Sequence, residues 1–195
     1  MSEGHRCLSA SADTDSFVSH SLNEDADLTI AHRHEHLETS NVVARLAGSG
    51  SGRDDDVVLV MAHYDAFGRD ESGRIRAGAA DNAIGTAMLL AVADALAHGS
   101  RRPDRTVIFM ATTGEEIGML GAMHWADNPA VPLARIIATI NIDGIGSEVL
   151  GPVTRVVGFG SDLSSLGTLF ARATQDLGTA PRAGSIRRTA PVLSI

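Results

Sequence analysis

Residues 57–65 read VVLVMAHYD, six apolar residues in a row that run straight into a histidine, a tyrosine and an aspartate. An unbroken apolar run of strand length is what a strand covered on both faces requires. Two later stretches have the same build. Arg105–Ala111 (RTVIFMA) leads into Thr112-Thr113-Gly114-Glu115-Glu116, and Ile136–Ile142 (IIATINI) leads into Asp143. Between them lie helical patterns. Asn82–His98 carries Ile84, Met88, Ala91, Val92 and Ala95 at helical spacing, with Leu96 adjacent and Gly99 as its stop. Ile117–Ala126 is a shorter helix that ends near Asn128-Pro129.

Working outward, Asn41–Ala47 (NVVARLA) reads as a strand and the Gly/Ser stretch at 48–52 as a hairpin connection to the run at 57. Arg53-Asp54-Asp55-Asp56 follows those glycines, so the Lys and Ser/Thr of a phosphate-cradling loop are missing. Downstream, Val153–Gly160 reads as a strand and Leu163–Leu177 as a helix with Leu166, Leu169, Phe170 and Ala173 inward. Buried strands alternating with helices specify an α/β fold, a mainly parallel sheet covered on both faces. Residues 1–27 are rich in Ser, Asp and His and read as a poorly packed leader, leaving 28–195 as the folded domain. From Leu28 to Glu38 residues tend to alternate, which places His32, His34 and His36 on one face of an edge strand. Such a trio is either a metal site or a solvated face. The pattern lacks a His-Glu-x-x-His helix, which favours the solvated face.

Bulk composition narrows the function. The 195 residues are 44% hydrophobic and 21% charged, an ordinary globular balance. The net charge of -8 leaves no basic surplus to neutralise phosphate, which argues against nucleic acid as a partner. Cys7 is the single cysteine, so no intrachain disulfide or thiolate cluster can form, and any metal must be held by His, Asp and Glu. Met1–Ile30 contains no apolar run like a signal peptide, and no segment reads as a membrane span. As written the chain is expected to stay in the cytoplasm; an export signal lost from its N-terminus would instead send it to the periplasm or outside.

The candidate chemistry collects where strands end. His63 and Asp65 follow the first run, Glu115 and Glu116 the second and Asp143 the third, while Asp81 sits in the loop entering the long helix. The carboxyl ends of strands form the ligand crevice of open α/β sheets, so these residues are expected to converge. Taken one at a time, each has a plainer reading. Asp81-Asn82 can cap a helix, Glu115-Glu116 can be a solvated first turn, Asp143-Gly144 can be a turn and His63 a packed side chain. Their recurrence at consecutive strand ends favours a metal site. One His with several carboxylates and no thiolate suits Zn²⁺ or Mn²⁺. Two ions about 3.5–4 Å apart, bridged by one carboxylate, would account for so many acids in one place.

The segments NVVARLAG, VVLVMAHYDAFG, AGAADNAIGTAMLLAVADAL, RTVIFMATTGEEIGMLGA and IIATINIDGIG, spanning about residues 41–146, resemble in order and register the co-catalytic zinc exopeptidases of metallopeptidase family twenty-eight. That family includes bacterial leucyl-type aminopeptidases. The resemblance implies a three-layer α/β/α sandwich around a mainly parallel mixed sheet. It implies an aminopeptidase cleaving the N-terminal peptide bond of substrates with a free N-terminus, with two Zn²⁺ per intact site. His63, Asp81 and Asp143 would hold one zinc, with Asp81 bridging to the second, and Glu116 would bind that second zinc. Glu115 would be the general base, Asp65 would orient His63, and the Asp81–Asn82 peptide bond would be cis.

One departure stands out. The family's second zinc takes a further His downstream of the third strand, whereas the last histidine here is His124. The tail Arg187-Arg188-Thr189-Ala190-Pro191 does not resemble the family's continuation, which implies a truncated or frame-shifted C-terminus that lacks the final strands. Rival readings within the fold are a one-zinc glutaminyl cyclase and a glutamate-releasing carboxypeptidase; outside catalysis, the rival is a binding domain that keeps the fold. The His63 and Asp143 pair favours two metals and thus a peptidase. Trp125 and Phe67 are expected to pack beside the site rather than to line a specificity pocket.

Overall fold

The runs at 57 and 105 form the two central strands of a four-stranded mixed sheet of order β1-β3-β2-β4. A computed structural model describes residues 29–31, 36–50, 56–144 and 154–184. The leader at 1–27, His32, His34, most of the Arg53–Asp56 run and the tail at 187–191 lie outside the described residues. The described parts of Leu28–Glu38, His36 included, carry no strand pairing, so the expected edge strand is not formed there.

β2 (Val57–His63) and β3 (Thr106–Thr112) are buried along almost their whole length, as their unbroken apolar character requires. They pair in parallel, with His63 level with Thr112. Side chains alternate between two cores. Val60, Ala62, Val107 and Phe109 pack under α1 (Ile84–His98), with Leu89 at the centre. Val57, Leu59, Ile108 and Met110 pack on the opposite face against Trp125 of α2 (Leu120–Asp127). Helices on both faces of a mixed sheet make the three-layer α/β/α sandwich.

Several expectations need correction. β1 (Val42–Leu46) does not form a hairpin with β2; it pairs antiparallel with β3, at the far side of the sheet. The Gly48–Gly50 stretch continues that pairing, with Ser49 and Gly50 N–H groups donating to Pro103 and Asp104 carbonyls at 2.9 and 3.0 Å. Glycine permits this approach, because a Cβ on Gly48 would lie 2.6 Å from the Arg105 carbonyl carbon. β4 (Ile136–Asn141) pairs in parallel with β2 but is not a buried strand; it lies at the other end of the strand order, with Ile137 and Ile140 about half exposed. α1 buries Gly85 and Leu89 and half-buries Val92, Ala93 and Leu96, whereas Met88, Ala91 and Ala95 face outward. Its inward stripe is thus rotated by about one residue from the sequence expectation. Gly99 ends α1 in an extended rather than left-handed conformation.

Ala79–His98 is also long and apolar enough, by length and composition alone, to cross a membrane, contrary to the sequence reading. Here its Leu89 stripe is spent on the sheet. Farther along, β5 (Arg155–Phe159), α3 (Leu166–Asp176) and β6 (Ala180–Gly184) form a parallel βαβ unit with its own two-stranded sheet. On α3, Leu166 and Phe170 are partly covered and Thr174 is buried, whereas Leu169 and Ala173 are exposed rather than inward. Phe170 lies over Gly158, where a Cβ would meet its ring at 2.9 Å.

The rotated helix face has a direct consequence. Leu89→Ala should cost about 3 kcal/mol, as expected for truncating a core leucine, while Met88→Ala should cost under about 1 kcal/mol at an exposed position. Urea denaturation of both variants checks this; equal losses would contradict the assignment of the buried face.

Candidate metal centre

Parallel pairing brings the ends of β2, β3 and β4 to one edge of the sheet, so the groups that follow them meet. His63, the last residue of β2, is only 2% exposed and forms the floor. Its Nε2 faces Asp81 Oδ1 at 3.1 Å, Asp143 Oδ1 at 3.4 Å and Glu115 Oε2 at 3.9 Å. Donor atoms of His63, Asp81 and Asp143 all lie within 4.8 Å of one another, as do those of His63, Glu115 and Glu116. All six residues singled out from the sequence are therefore gathered at this edge, with Asp65 joined through the contacts described next.

Asp65 does more than expected. His63 Nδ1 faces both the Asp65 backbone carbonyl at 3.2 Å and its carboxylate at 3.5 Å. The same carboxylate accepts the backbone N–H groups of Glu115 at 3.1 Å and Glu116 at 3.2 Å, one on each oxygen. One side chain thus ties the end of β2 to the turn after β3. That turn starts α2 three residues later than the sequence suggests. Gly114 at φ +64° and Gly118 at φ +114° loop the chain outward before Leu120 N–H returns to the Gly114 carbonyl at 2.9 Å. Left-handed backbone at both points explains the glycines.

The helix-cap reading of Asp81 is also resolved. Asn82, 1% exposed, does the capping: its Oδ1 accepts the Gly85 N–H at 3.1 Å, while its Nδ2 donates to the Ile142 carbonyl at 2.8 Å. Thr86 adds a hydroxyl bond to the His63 carbonyl at 2.9 Å. Asn82 and Thr86 therefore lock the start of α1 onto the ends of β4 and β2, and the Asp81 carboxylate is left free for the cluster. The peptide bond between Asp81 and Asn82 is cis, as the sequence resemblance implies. Asn82 was not singled out from the sequence. Its signal was available, an amide three residues ahead of a glycine at a helix start, but it was read together with its neighbour.

The electrostatics are those of a cation site. Burial lowers the His63 pKa, but the surrounding carboxylates of Asp143, Glu115 and Asp65 outweigh it and leave the ring more basic than usual. Glu116 is pushed up by burial and then by the Asp81 and Glu115 carboxylates. Glu116 Oε1 is buried without a hydrogen-bond partner, a group that calls for a cation. Ligands on a tetrahedral zinc at bond lengths of about 2.0–2.1 Å are spaced about 3.3 Å apart, which matches the 3.1 and 3.4 Å separations from Nε2. The residues present fit a zinc ion. Among the described residues no second histidine joins the cluster; His124 is exposed on α2.

Of the two aromatics expected to pack nearby, Trp125 is buried in the core under α2. Phe67 is instead 66% exposed and lines a cavity of about 200 Å³ beside Asp81.

Comparison with known proteins agrees with this geometry. The family model for peptidase family M28 matches residues 41–185, most of the chain. A vacuolar membrane protease of Saccharomyces cerevisiae is 32% identical over 112 residues, covering 57% of this chain and 10% of that protein. A probable zinc metalloprotease of Pyrenophora teres f. teres is 36% identical over 115 residues, covering 57% of this chain and 24% of that protein. The chain therefore matches a quarter or less of the length of these two relatives. Among solved structures, a peptidase M28 precursor from Shewanella amazonensis superposes with a TM-score of 0.54 at 26% identity, covering 77% of this chain and 31% of that one. An aminopeptidase from Aneurinibacillus sp. strain AM-1 shares the fold with a TM-score of 0.60 at 21% identity, covering 74% and 34%. The chain belongs to peptidase family M28.

Zinc binding should depend on pH in a defined direction. In the metal-free chain the raised His63 pKa favours its protonated form, so its contribution to stability is complete below pH 6.5 and is lost as pH rises through the raised value. Zinc needs the neutral ring and displaces that proton. The gain in melting temperature on adding zinc should therefore be larger at pH 8 than at pH 6. Thermal denaturation with and without zinc checks this, and an equal gain at both pH values would contradict it.

Proposed function

We propose that this member of peptidase family M28 is a zinc-dependent aminopeptidase that hydrolyses the N-terminal peptide bond of peptides with a free amino terminus. The observation that carries the reading is the convergence of His63, Asp81, Asp143, Glu115 and Glu116 at one sheet edge, with Glu116 Oε1 buried and unpartnered. His63, Asp81 and Asp143 would hold one zinc, and Asp81 and Glu116 would contribute to holding a second. Zinc there supplies Lewis acidity and a water whose pKa falls toward about 7.

The chain's own groups supply the rest. Glu115 is a third exposed and sits 3.9 Å from His63 Nε2, on the rim of the cluster rather than its floor. It is free to take the proton of the attacking water and to hand it to the departing amine, which leaves protonated as the peptide bond breaks. Glu116, whose Oε1 is buried without a hydrogen-bond partner, is the ligand of the pair. Asp65 holds the backbone of both glutamates and also faces His63 Nδ1, which ties acid–base group and ligand to the end of β2. The relative named as an aminopeptidase and the zinc metalloprotease support this reading, as does the chain order of the motifs.

Glu115→Gln should retain zinc and lose at least about 100-fold in kcat on leucine p-nitroanilide, the usual scale for removing a general base. Asp81→Ala should lose both ions together. Zinc content by elemental analysis beside the rate assay checks both; near-normal turnover in Glu115→Gln, or full metal in Asp81→Ala, would overturn the assignments.

A further inference from the structure

A hairpin leaves β2 immediately after the metal centre and returns to it. Its base is closed by the Arg76 N–H donating to the Gly68 carbonyl at 2.7 Å, and Arg69 bridges antiparallel to Ile75. The tip is stiffened by Asp70, whose carboxylate accepts from the backbone N–H groups of Ser72 and Arg74, from the Ser72 hydroxyl and from Arg74 Nε. Phe67 and Arg76, from the two ends of this hairpin, line one cavity with Ala66, Ala77, Gly78 and Asp81.

The cavity floor is backbone and small side chains by necessity. A Cβ on Gly78 would lie 2.7 Å from the Ala66 Cβ and 2.6 Å from the Asp81 carbonyl oxygen. The Arg76 side chain is 60% exposed, and its ion pair among the described residues is a long 3.8 Å approach of Nε to Asp70 Oδ2, an oxygen Arg74 already holds at 3.2 Å. Asp70 is thus occupied by the hairpin itself, and the fork of the Arg76 guanidinium is available to a ligand. A pocket bordered by an exposed aromatic and by a residue carrying a guanidinium suits a carboxylate on a short methylene stem. The pocket shares Asp81 with the metal cluster, so such a carboxylate would belong to a substrate already held there.

Resting on the aminopeptidase reading, we propose that Phe67 and Arg76 form a substrate subsite that selects peptides bearing a carboxylate near the cleaved bond. That carboxylate is either an acidic side chain or the C-terminus of a short peptide. Arg76 pairs with it as a specificity-determining residue and takes no part in bond cleavage.

The test uses reduced-amide analogues, in which CH2–NH replaces the cleaved peptide group, bound to the zinc-loaded chain and measured by calorimetry. Leu-Gln amide carries no carboxylate, Leu-Glu amide and Glu-Gln amide carry one on a side chain, and Leu-Gln acid carries one at its terminus. At least one carboxylate form should bind about fivefold more tightly than the neutral form, the scale of an exposed charge pair. The preferred form identifies the source. Arg76→Gln should abolish the preference, and Arg76→Glu should reverse it toward Leu-Lys amide. Equal binding of all four analogues to the unaltered chain, or an unchanged preference in Arg76→Gln, would overturn the subsite. Selective binding without hydrolysis of any peptide would retain the subsite and instead overturn the aminopeptidase reading.

Discussion

The structure depends on the crowding of carboxylates around one buried imidazole. Two carboxylates about 4 Å apart repel by about 4 kcal/mol at an effective dielectric constant of about 20, and Asp81, Asp143, Glu115 and Glu116 all surround His63. Part of that repulsion is relieved by a more basic His63 ring and by a Glu116 carboxyl that holds its proton longer than usual. Neither satisfies the buried Glu116 oxygen. A divalent cation does both at once, which is why the cluster is an arrangement for metal rather than a surface accident.

Everything around the cluster fixes the direction of those groups. β2 and β3 run in parallel and end level with each other, so the residues leaving them arrive at the same edge. Asp65 then clamps the turn after β3 by two backbone amides, and Asn82 clamps the start of α1 to the end of β4 by its amide. Both clamps act on backbone, and Asp65 also faces His63 Nδ1 through its carboxylate at 3.5 Å. The hairpin at 67–76 extends the same logic outward, placing a positive group beside an otherwise acidic rim.

The central strands were legible in the sequence because their apolar runs stop abruptly at polar residues, whereas the proposed ligand set came from the family's motifs, since Asp81 lies in a loop that no such run marks. What was not legible depended on tertiary partners. β4 is mostly apolar, as β2 is, and only the strand order reveals that its outer edge is unpaired among the described residues. β1 was matched with its neighbour in sequence, whereas a glycine-lined crossing takes it to β3. In α1 nearly every residue is apolar or small, so periodicity alone fixes the helix but not the face it buries. Phe67 was expected in packing because aromatics usually are; the hairpin that exposes it is set by local Asp70 hydrogen bonds that leave no hydrophobic trace.

A zinc centre built from one imidazole and carboxylates has a distinct signature in zinc K-edge absorption spectroscopy of the zinc-loaded chain. The account predicts a first shell of nitrogen and oxygen at about 2.0–2.1 Å, no sulfur, and outer-shell scattering from imidazole that disappears in His63→Ala. A second ion would add a metal–metal distance of about 3.5–4 Å. Imidazole scattering that persists without His63, or a shell of water oxygens alone, would contradict it.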